Sequence, residues 1–171
     1  MEINMQGIVQ SIVTGLSGKI SKEFIVFLVS MIPLLELRGS ILAAGFMNMD
    51  FLRTFIAAVI GNMLPIPFIL IFIEAIFNWM KKTKHFRKLA CGIEKKALSK
   101  SEQIEKYGYL GLYLFVAIPL PGTGAWTGSL ISVLFGMKRW KSLFFIFLGV
   151  LTAGLIMSLL AFGIIQNIFY H

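Results

Sequence analysis

Two opposite charges lie within an apolar stretch near the N-terminus. Glu36 and Arg38 are separated by one leucine in the segment IPLLELRGS, residues 32–40. A charge at membrane depth costs at least about 2.5–3.5 kcal/mol, and such residues mark substrate, ion or proton pathways by default. Burial favours the neutral form of a carboxyl group. The pattern predicts that Glu36 carries a proton or binds a cation, with Arg38 as its counter-ion or as an anion ligand.

A structural ion pair is the alternative for Glu36 and Arg38. Such a pair, if well hydrogen-bonded, would fix the turn in which it lies without taking part in transport. Gly39 and Ser40 follow the pair directly and are predicted to belong to the same substrate or proton site.

A second interrupted stretch, IPLPGTGAWTGS at residues 118–129, begins and ends with the same letters but carries no charge. Proline and glycine stop a helix and free backbone N–H and C=O groups. Gly128 and Ser129 are predicted to open the returning helix, whose N-terminus favours an anion or a carboxylate. Trp126 could stack on a cation or an apolar substrate, with packing as the alternative. The predicted site here comprises Pro119, Pro121, Gly122, Thr123, Gly124, Trp126, Thr127, Gly128 and Ser129.

The two interrupted stretches indicate an internal repeat. Ile-Pro-Leu at 32–34 matches 118–120, and Gly-Ser at 39–40 matches 128–129. Each interruption divides an apolar segment into arms of about ten residues, or about 15 Å of helix, which is half of a bilayer core. Short Gly/Pro-interrupted segments at matching places in two halves indicate a transport site. We expect each repeat to be a re-entrant helical hairpin plus a long transmembrane helix, with substrate held between the two hairpin tips.

Basic residues predict the topology. Nine lysines and arginines lie in residues 79–106, and Lys138, Arg139 and Lys141 follow the second hairpin. The positive-inside rule places both groups on the cytoplasmic side if the second segment re-enters rather than spans. The repeats would then be inverted, and the basic linker would face the cytoplasm on a membrane surface that carries anionic lipids.

The long apolar segment of residues 51–78 contains a predicted kink. Pro65 and Pro67 should bend or break its helix, and Asn62 lies one turn earlier. The sequence leaves open whether this is a gating kink or a static bend.

Composition sets the fold class as all-α and integral to a membrane. Of the 171 residues, 57% are hydrophobic and the net charge is +8, against about 45–50% apolar residues in soluble domains. We expect one membrane domain, residues 1–171. Its parts are an N-terminal amphipathic helix (1–22), a first repeat (23–78), the basic linker (79–106) and a second repeat (107–171). The single cysteine, Cys91, excludes an internal disulfide.

The motifs ELRG and PLPGTGAWTG resemble those of the small multidrug export family, which is distantly similar to the DedA/VTT superfamily. The resemblance covers about residues 24–165 and implies two re-entrant hairpins that face each other, with a role in transport or lipid translocation. DedA-type proteins are thought to carry acidic residues in one hairpin and arginines in the other. Glu36 fits the acidic hairpin, whereas the second hairpin has no arginine before Arg139.

Together these features predict a multi-pass exporter of small molecules in the bacterial or archaeal cytoplasmic (inner) membrane, coupled to protons. We expect a homodimer, because 171 residues supply few helices to shield a cavity at the membrane midplane. One alternative is a translocase for a lipid phosphate such as a polyprenyl carrier, and another is a non-transporting membrane scaffold. No enzymatic activity, cofactor, metal site or nucleic-acid partner is expected, because the sequence shows no nucleophile–base pair, metal-ligand cluster or phosphate-binding loop.

Overall fold

The computed structural model describes residues 5–16, 20–98, 102–120 and 122–169. Within these ranges the chain is helical and contains no β-sheet. The helices are α1 (Met5–Leu16), α2 (Lys22–Met31), α3 (Glu36–Phe46), α4 (Phe51–Met63), α5 (Ile66–Lys82), α6 (Lys84–Leu98), α7 (Glu102–Tyr107), α8 (Tyr109–Ala117), α9 (Ala125–Leu134) and α10 (Arg139–Phe169).

Two helical runs of the described chain are long and apolar enough to cross a bilayer. They are Phe51–Lys82, which combines α4 and α5, and Arg139–Ala161 in α10. At 1.5 Å per residue they measure about 48 Å and about 35 Å, against about 30 Å for a bilayer core. The first run presents an exposed apolar face that includes Leu52, Ile56 and Ile60. The prediction of two long apolar helices at these positions is confirmed.

The chain divides into two compact units. The first contains the residues up to Leu64 and those from Val150 onward. In it α2 packs on α3 and α4, and α1 packs on α3. Lys22 at the start of α2 donates from Nζ to the carbonyl of Met47, just after α3, at 2.7 Å. Because this bond joins the two open ends, α2 and α3 form an antiparallel helical hairpin, the first hairpin.

The second unit runs from Pro65 to Gly149. In it α5 packs on α6 and α9, and α8 packs on α7 and α9. The hydroxyl of Tyr109 at the start of α8 accepts a hydrogen bond at 2.9 Å from the N–H of Lys138, which follows α9. This bond closes a second helical hairpin, formed by α8 and α9.

One helix extends beyond its predicted end. α5 continues to Lys82, so the basic linker loses its first four residues to that helix. The described part of its remainder contains α6 and α7. The predicted N-terminal helix is observed as α1, residues 5–16.

Candidate functional site

The tip of the first hairpin is shorter than its sequence indicates. α2 ends at Met31, Ile32 takes up extended backbone before Pro33, and α3 begins at Glu36. The N–H groups of Leu35 and Glu36 both donate to the carbonyl of Ile32, at 3.1 and 2.8 Å. The chain therefore reverses within residues 32–35. The expectation that the charges lie in the break is wrong, because the helix resumes at Glu36 and Arg38, Gly39 and Ser40 fall in its first turns.

Glu36 combines burial with an unusual backbone conformation. Its exposed fraction is 8%, and its φ is +46°. Residues other than glycine rarely occupy this left-handed region, and those that do cluster at functional sites. The carboxyl group lies at the N-terminus of α3, where the helix dipole favours negative charge. Arg38 is half-buried and attracts Glu36 electrostatically.

The second hairpin makes its tip from backbone and one hydroxyl. Thr123 Oγ1 lies within hydrogen-bond distance of the carbonyls of Leu120 and Ile118, at 2.8 and 2.9 Å. Gly122 and Gly124 have φ values of +78° and +139°, which side chains disfavour. Pro121 lies outside the described residues, whereas Pro119 follows the extended Ile118 as predicted.

The returning helix α9 begins earlier than its sequence indicates. Its first residue is Ala125, so the expectation that Gly128 and Ser129 open it is wrong. Trp126 and Thr127 lie in the first turn, where both side chains are half-buried. Once Gly124 has made the turn, no residue before Ser129 prevents the helix from forming, since Ala125 is a strong helix former.

The two predicted site serines donate to their own helices. Ser40 Oγ bonds to the carbonyl of Leu37 at 2.8 Å, and Ser129 Oγ bonds to that of Ala125 at 2.6 Å. Both side chains are fully buried. Each hydroxyl is therefore occupied as a donor and retains only acceptor capacity.

The same helix-terminating geometry recurs after both hairpins. α3 ends in a Schellman motif, in which the N–H of Asn48 donates to Gly45 and that of Met49 to Ala44. The left-handed residue of this motif is Asn48, with a φ of +48°.

α9 ends in the same motif. The N–H of Gly136 donates to Val133 and that of Met137 to Ser132, and Gly136 has a φ of +63°. Each hairpin thus stops its second arm with the same pattern of two bonds before a long helix begins.

Glycine contacts recur in the same way. Gly61, the eleventh residue of α4, lies against the carbonyl of Phe27 and the hydroxyl of Ser30 in α2. Gly149, the eleventh residue of α10, lies against the carbonyl of Tyr113 and the side chain of Val116 in α8. Each long helix therefore meets the first arm of its own hairpin at a residue where an added Cβ would displace neighbouring atoms.

The predicted kink residues lie where α4 gives way to α5. α4 ends at Met63, Leu64 and Pro65 keep helical backbone angles, and α5 begins at Ile66. Pro65 and Pro67 have no N–H, so the carbonyls of Gly61 and Met63 lack the donors of a continuous helix. Asn62 is 2% exposed, and its Oδ1 has no hydrogen-bond partner among the described residues.

The structure brings Glu36, Arg38, Gly39 and Ser40 together in one helix, and it places Pro119, Gly122, Thr123 and Gly124 in one turn. The two tips belong to different units, and the expectation that substrate lies between them stays a prediction. Sequence reasoning missed Ser30, which contacts Gly61. Its signal was a lone hydroxyl in the apolar run FIVFLVSMI.

Comparison with known proteins identifies a family. The family model described as "Putative small multi-drug export protein" matches residues 36–156, which is more than two-thirds of the chain. No curated protein matches. No solved structure matches.

Proposed function

This chain belongs to the small multi-drug export family, and two of its helical runs are long and apolar enough to cross a membrane. From this premise we propose that the protein exports small molecules in exchange for protons. Glu36 is the group that carries the proton, and Arg38 is its counter-ion. The observation that carries this proposal is the burial of a carboxyl group in left-handed backbone at the tip of a helical hairpin.

Burial gives Glu36 two states of different energy. In apolar surroundings a charged carboxylate is costly unless a positive charge or a hydrogen-bond donor accompanies it. Arg38 supplies the positive charge when the proton leaves. A transported cation that replaces this attraction would bind the deprotonated form, and a proton would release it, which is the exchange that coupled export requires.

Helix lengths support re-entry of both hairpins. α2, α3, α8 and α9 have 10, 11, 9 and 10 residues, so each is about 14–16 Å long and reaches about half-way into a bilayer core. The recurrence of the Schellman motif and of the glycine contact supports two repeats. Their inverted orientation and the relation to the DedA/VTT superfamily are further parts of the proposal, based on basic-residue placement and on motif resemblance.

Proteoliposomes with an acidic interior test the exchange. A panel of fluorescent organic cations is added outside, and a pH-sensitive dye inside reports the proton that leaves for each cation taken up. Glu36→Gln should lower coupled flux at least tenfold, because an amide cannot release a proton. Glu74→Gln is the matched control, since Glu74 is exposed and pairs with Arg139 at 3.2 Å; it should stay within twofold of the wild type.

Other outcomes would favour the alternatives. Wild-type flux in Glu36→Gln would leave Glu36 and Arg38 as a structural pair. Movement of a fluorescent polyprenyl phosphate between leaflets, with no cation-dependent proton flux, would favour the lipid-phosphate translocase. Neither activity would favour a scaffold.

The orientation of the basic linker is a separate part of the proposal. On α6 the exposed side chains of Phe86, Leu89 and Ile93 accompany those of Arg87 and Lys88, a composition typical of a helix on an anionic membrane surface. Cys91 on α6 is exposed and is the only cysteine of the sequence. A membrane-impermeant maleimide should label it in inverted vesicles and not in intact cells. Labelling in intact cells alone would reverse the orientation, and Cys91→Ser gives the background.

A further inference from the structure

The end of α4 carries oxygen acceptors that export through Glu36 does not use. Asn62 Oδ1 is buried and has no hydrogen-bond partner among the described residues. An unpaired acceptor in an apolar interior is destabilising, so such groups ordinarily have a protein, water or ion partner. The carbonyls of Gly61 and Met63 add two acceptors, since Pro65 and Pro67 cannot donate to them.

Contacts within the first unit place these acceptors at the level of the first tip. Gly61 lies against Ser30 in the last turn of α2. The tip begins two residues later, at Ile32, whose carbonyl accepts the N–H of Glu36. α3 and α4 pack on each other and are joined by only four residues, so the start of α3 lies at the level of the end of α4. Glu36 and Asn62 therefore share one end of the α2–α3–α4 cluster.

The charge at this end favours a cation. Glu36 supplies one formal negative charge, and the freed carbonyls of Gly61 and Met63 supply oxygen dipoles. Arg38 and the positive N-terminal end of α3 oppose a cation, so the site becomes favourable for one when Arg38 turns away from Glu36. Carboxylate, amide and carbonyl oxygens are ligands of hard cations, and helix ends with freed carbonyls bind sodium in transporters.

Size and charge narrow the class of cation. A Cβ on Gly61 would overlap both Ser30 Oγ and the Phe27 carbonyl, and Asn62 is almost fully buried, so this packing suits a small ion better than an organic molecule. One carboxylate matches one positive charge, whereas divalent sites commonly use several. We propose that Glu36, Asn62 Oδ1 and the carbonyls of Gly61 and Met63 bind a sodium ion.

Arg38 acts as a competitor in this arrangement. It attracts the same carboxylate, and its half-exposed side chain leaves it room to turn away. Arg38→Gln should therefore lower the sodium concentration that gives half of the maximal rise in Tm, by about threefold or more.

Sodium binding is measured on the purified protein in detergent, at fixed pH, without any transport step. The sodium site shares Glu36 with the proposed export function. A protein that does not export can still bind sodium, so failure of the sodium site and failure of the export function are distinguishable. Thermal unfolding is followed in NaCl and in N-methylglucamine chloride of equal concentration. Sodium should raise Tm in a saturable manner, by about 5 °C at one hundred times its Kd.

Variants assign this response to the site. Asn62→Leu and Glu36→Gln should abolish the sodium-dependent rise in Tm. Asn62→Asp keeps an oxygen at the Oδ1 position and should retain the rise. The exposed amide and carboxylate of α5 give matched controls, Asn78→Leu and Glu74→Gln, which should respond like the wild type. In sodium-free buffer Asn62→Leu should unfold no earlier than the wild type, because the unpaired acceptor is gone.

Three results would overturn the site. The first is an equal Tm in both salts, and the second is loss of the response in Asn62→Asp. The third is a lower Tm of Asn62→Leu without sodium, which would show that Oδ1 has a donor within the protein.

Discussion

The first hairpin places Glu36, a buried carboxyl group in left-handed backbone, at the start of its second arm, with Arg38 close by. The second hairpin places Ala125 at the corresponding position and uses glycines, rather than a charged residue, for its left-handed backbone. Both hairpins share closed bases, Schellman ends and a glycine contact with a long helix. The second hairpin forms the same frame without a charged residue at its tip, so Glu36 and Arg38 are not required for the frame and are available for function.

The largest expected effect comes from transferring the charge to the second hairpin. Ala125 is fully buried, and Ala125→Glu would put a carboxyl group there without an arginine two residues later. We expect destabilisation of at least about 3 kcal/mol, seen in size-exclusion chromatography as loss of the peak of folded protein. Ala125→Gln separates charge from size and should retain more folded protein. A folded Ala125→Glu with wild-type Tm would show that either tip accepts a charge.

A smaller effect compares the two glycine contacts. The Cβ of Gly61→Ala would overlap Ser30 Oγ and the Phe27 carbonyl, whereas that of Gly149→Ala would lie 2.7 Å from the Val116 side chain and 3.0 Å from the Tyr113 carbonyl. We expect about 3 kcal/mol of destabilisation for Gly61→Ala and about 1–2 kcal/mol for Gly149→Ala, measured by thermal unfolding.

Ser30→Ala provides the control for the glycine pair. It should recover part of the stability lost in Gly61→Ala and none of that lost in Gly149→Ala, because a Cβ at Gly61 meets Ser30 Oγ first, whereas a Cβ at Gly149 meets Val116 and Tyr113. Equal losses of stability in the two glycine variants would contradict the closer approach at Gly61.

The smallest effect concerns the Schellman motifs. Asn48→Gly should stabilise the protein by about 0.5–1 kcal/mol, and Gly136→Asn should destabilise it by a similar amount, since glycine takes the left-handed conformation without strain. A Cβ at Gly136 meets no atom within 4 Å, so Tm in this variant reports backbone strain alone. Shifts of the same sign in both variants would contradict the equivalence of the two motifs.

Much of the fold was predictable because it depends on local patterns. The apolar runs and the prolines at 33, 65 and 119 predict where the helices lie. In the structure Asp50 caps α4, since its Oδ2 accepts the N–H groups of Leu52 and Arg53. The helix starts at Glu36 and Ala125 were missed. Glycine, proline and charge clusters indicate that a helix stops, whereas the residue at which it resumes depends on turn bonds such as those to Ile32 and Leu120.

The sequence alone was enough for the all-helical class, for the two long apolar helices and for the presence of Glu36 and Arg38 within an apolar stretch, because hydrophobic periodicity and an unusual charge are properties of residue order. The tertiary structure was needed to show which glycines meet which arms and that Ser40 and Ser129 bond to their own helices. It also showed that Asn62 is buried with an oxygen that has no hydrogen-bond partner in the described part of the chain. Those facts depend on which faces of neighbouring helices meet, and no local pattern fixes that.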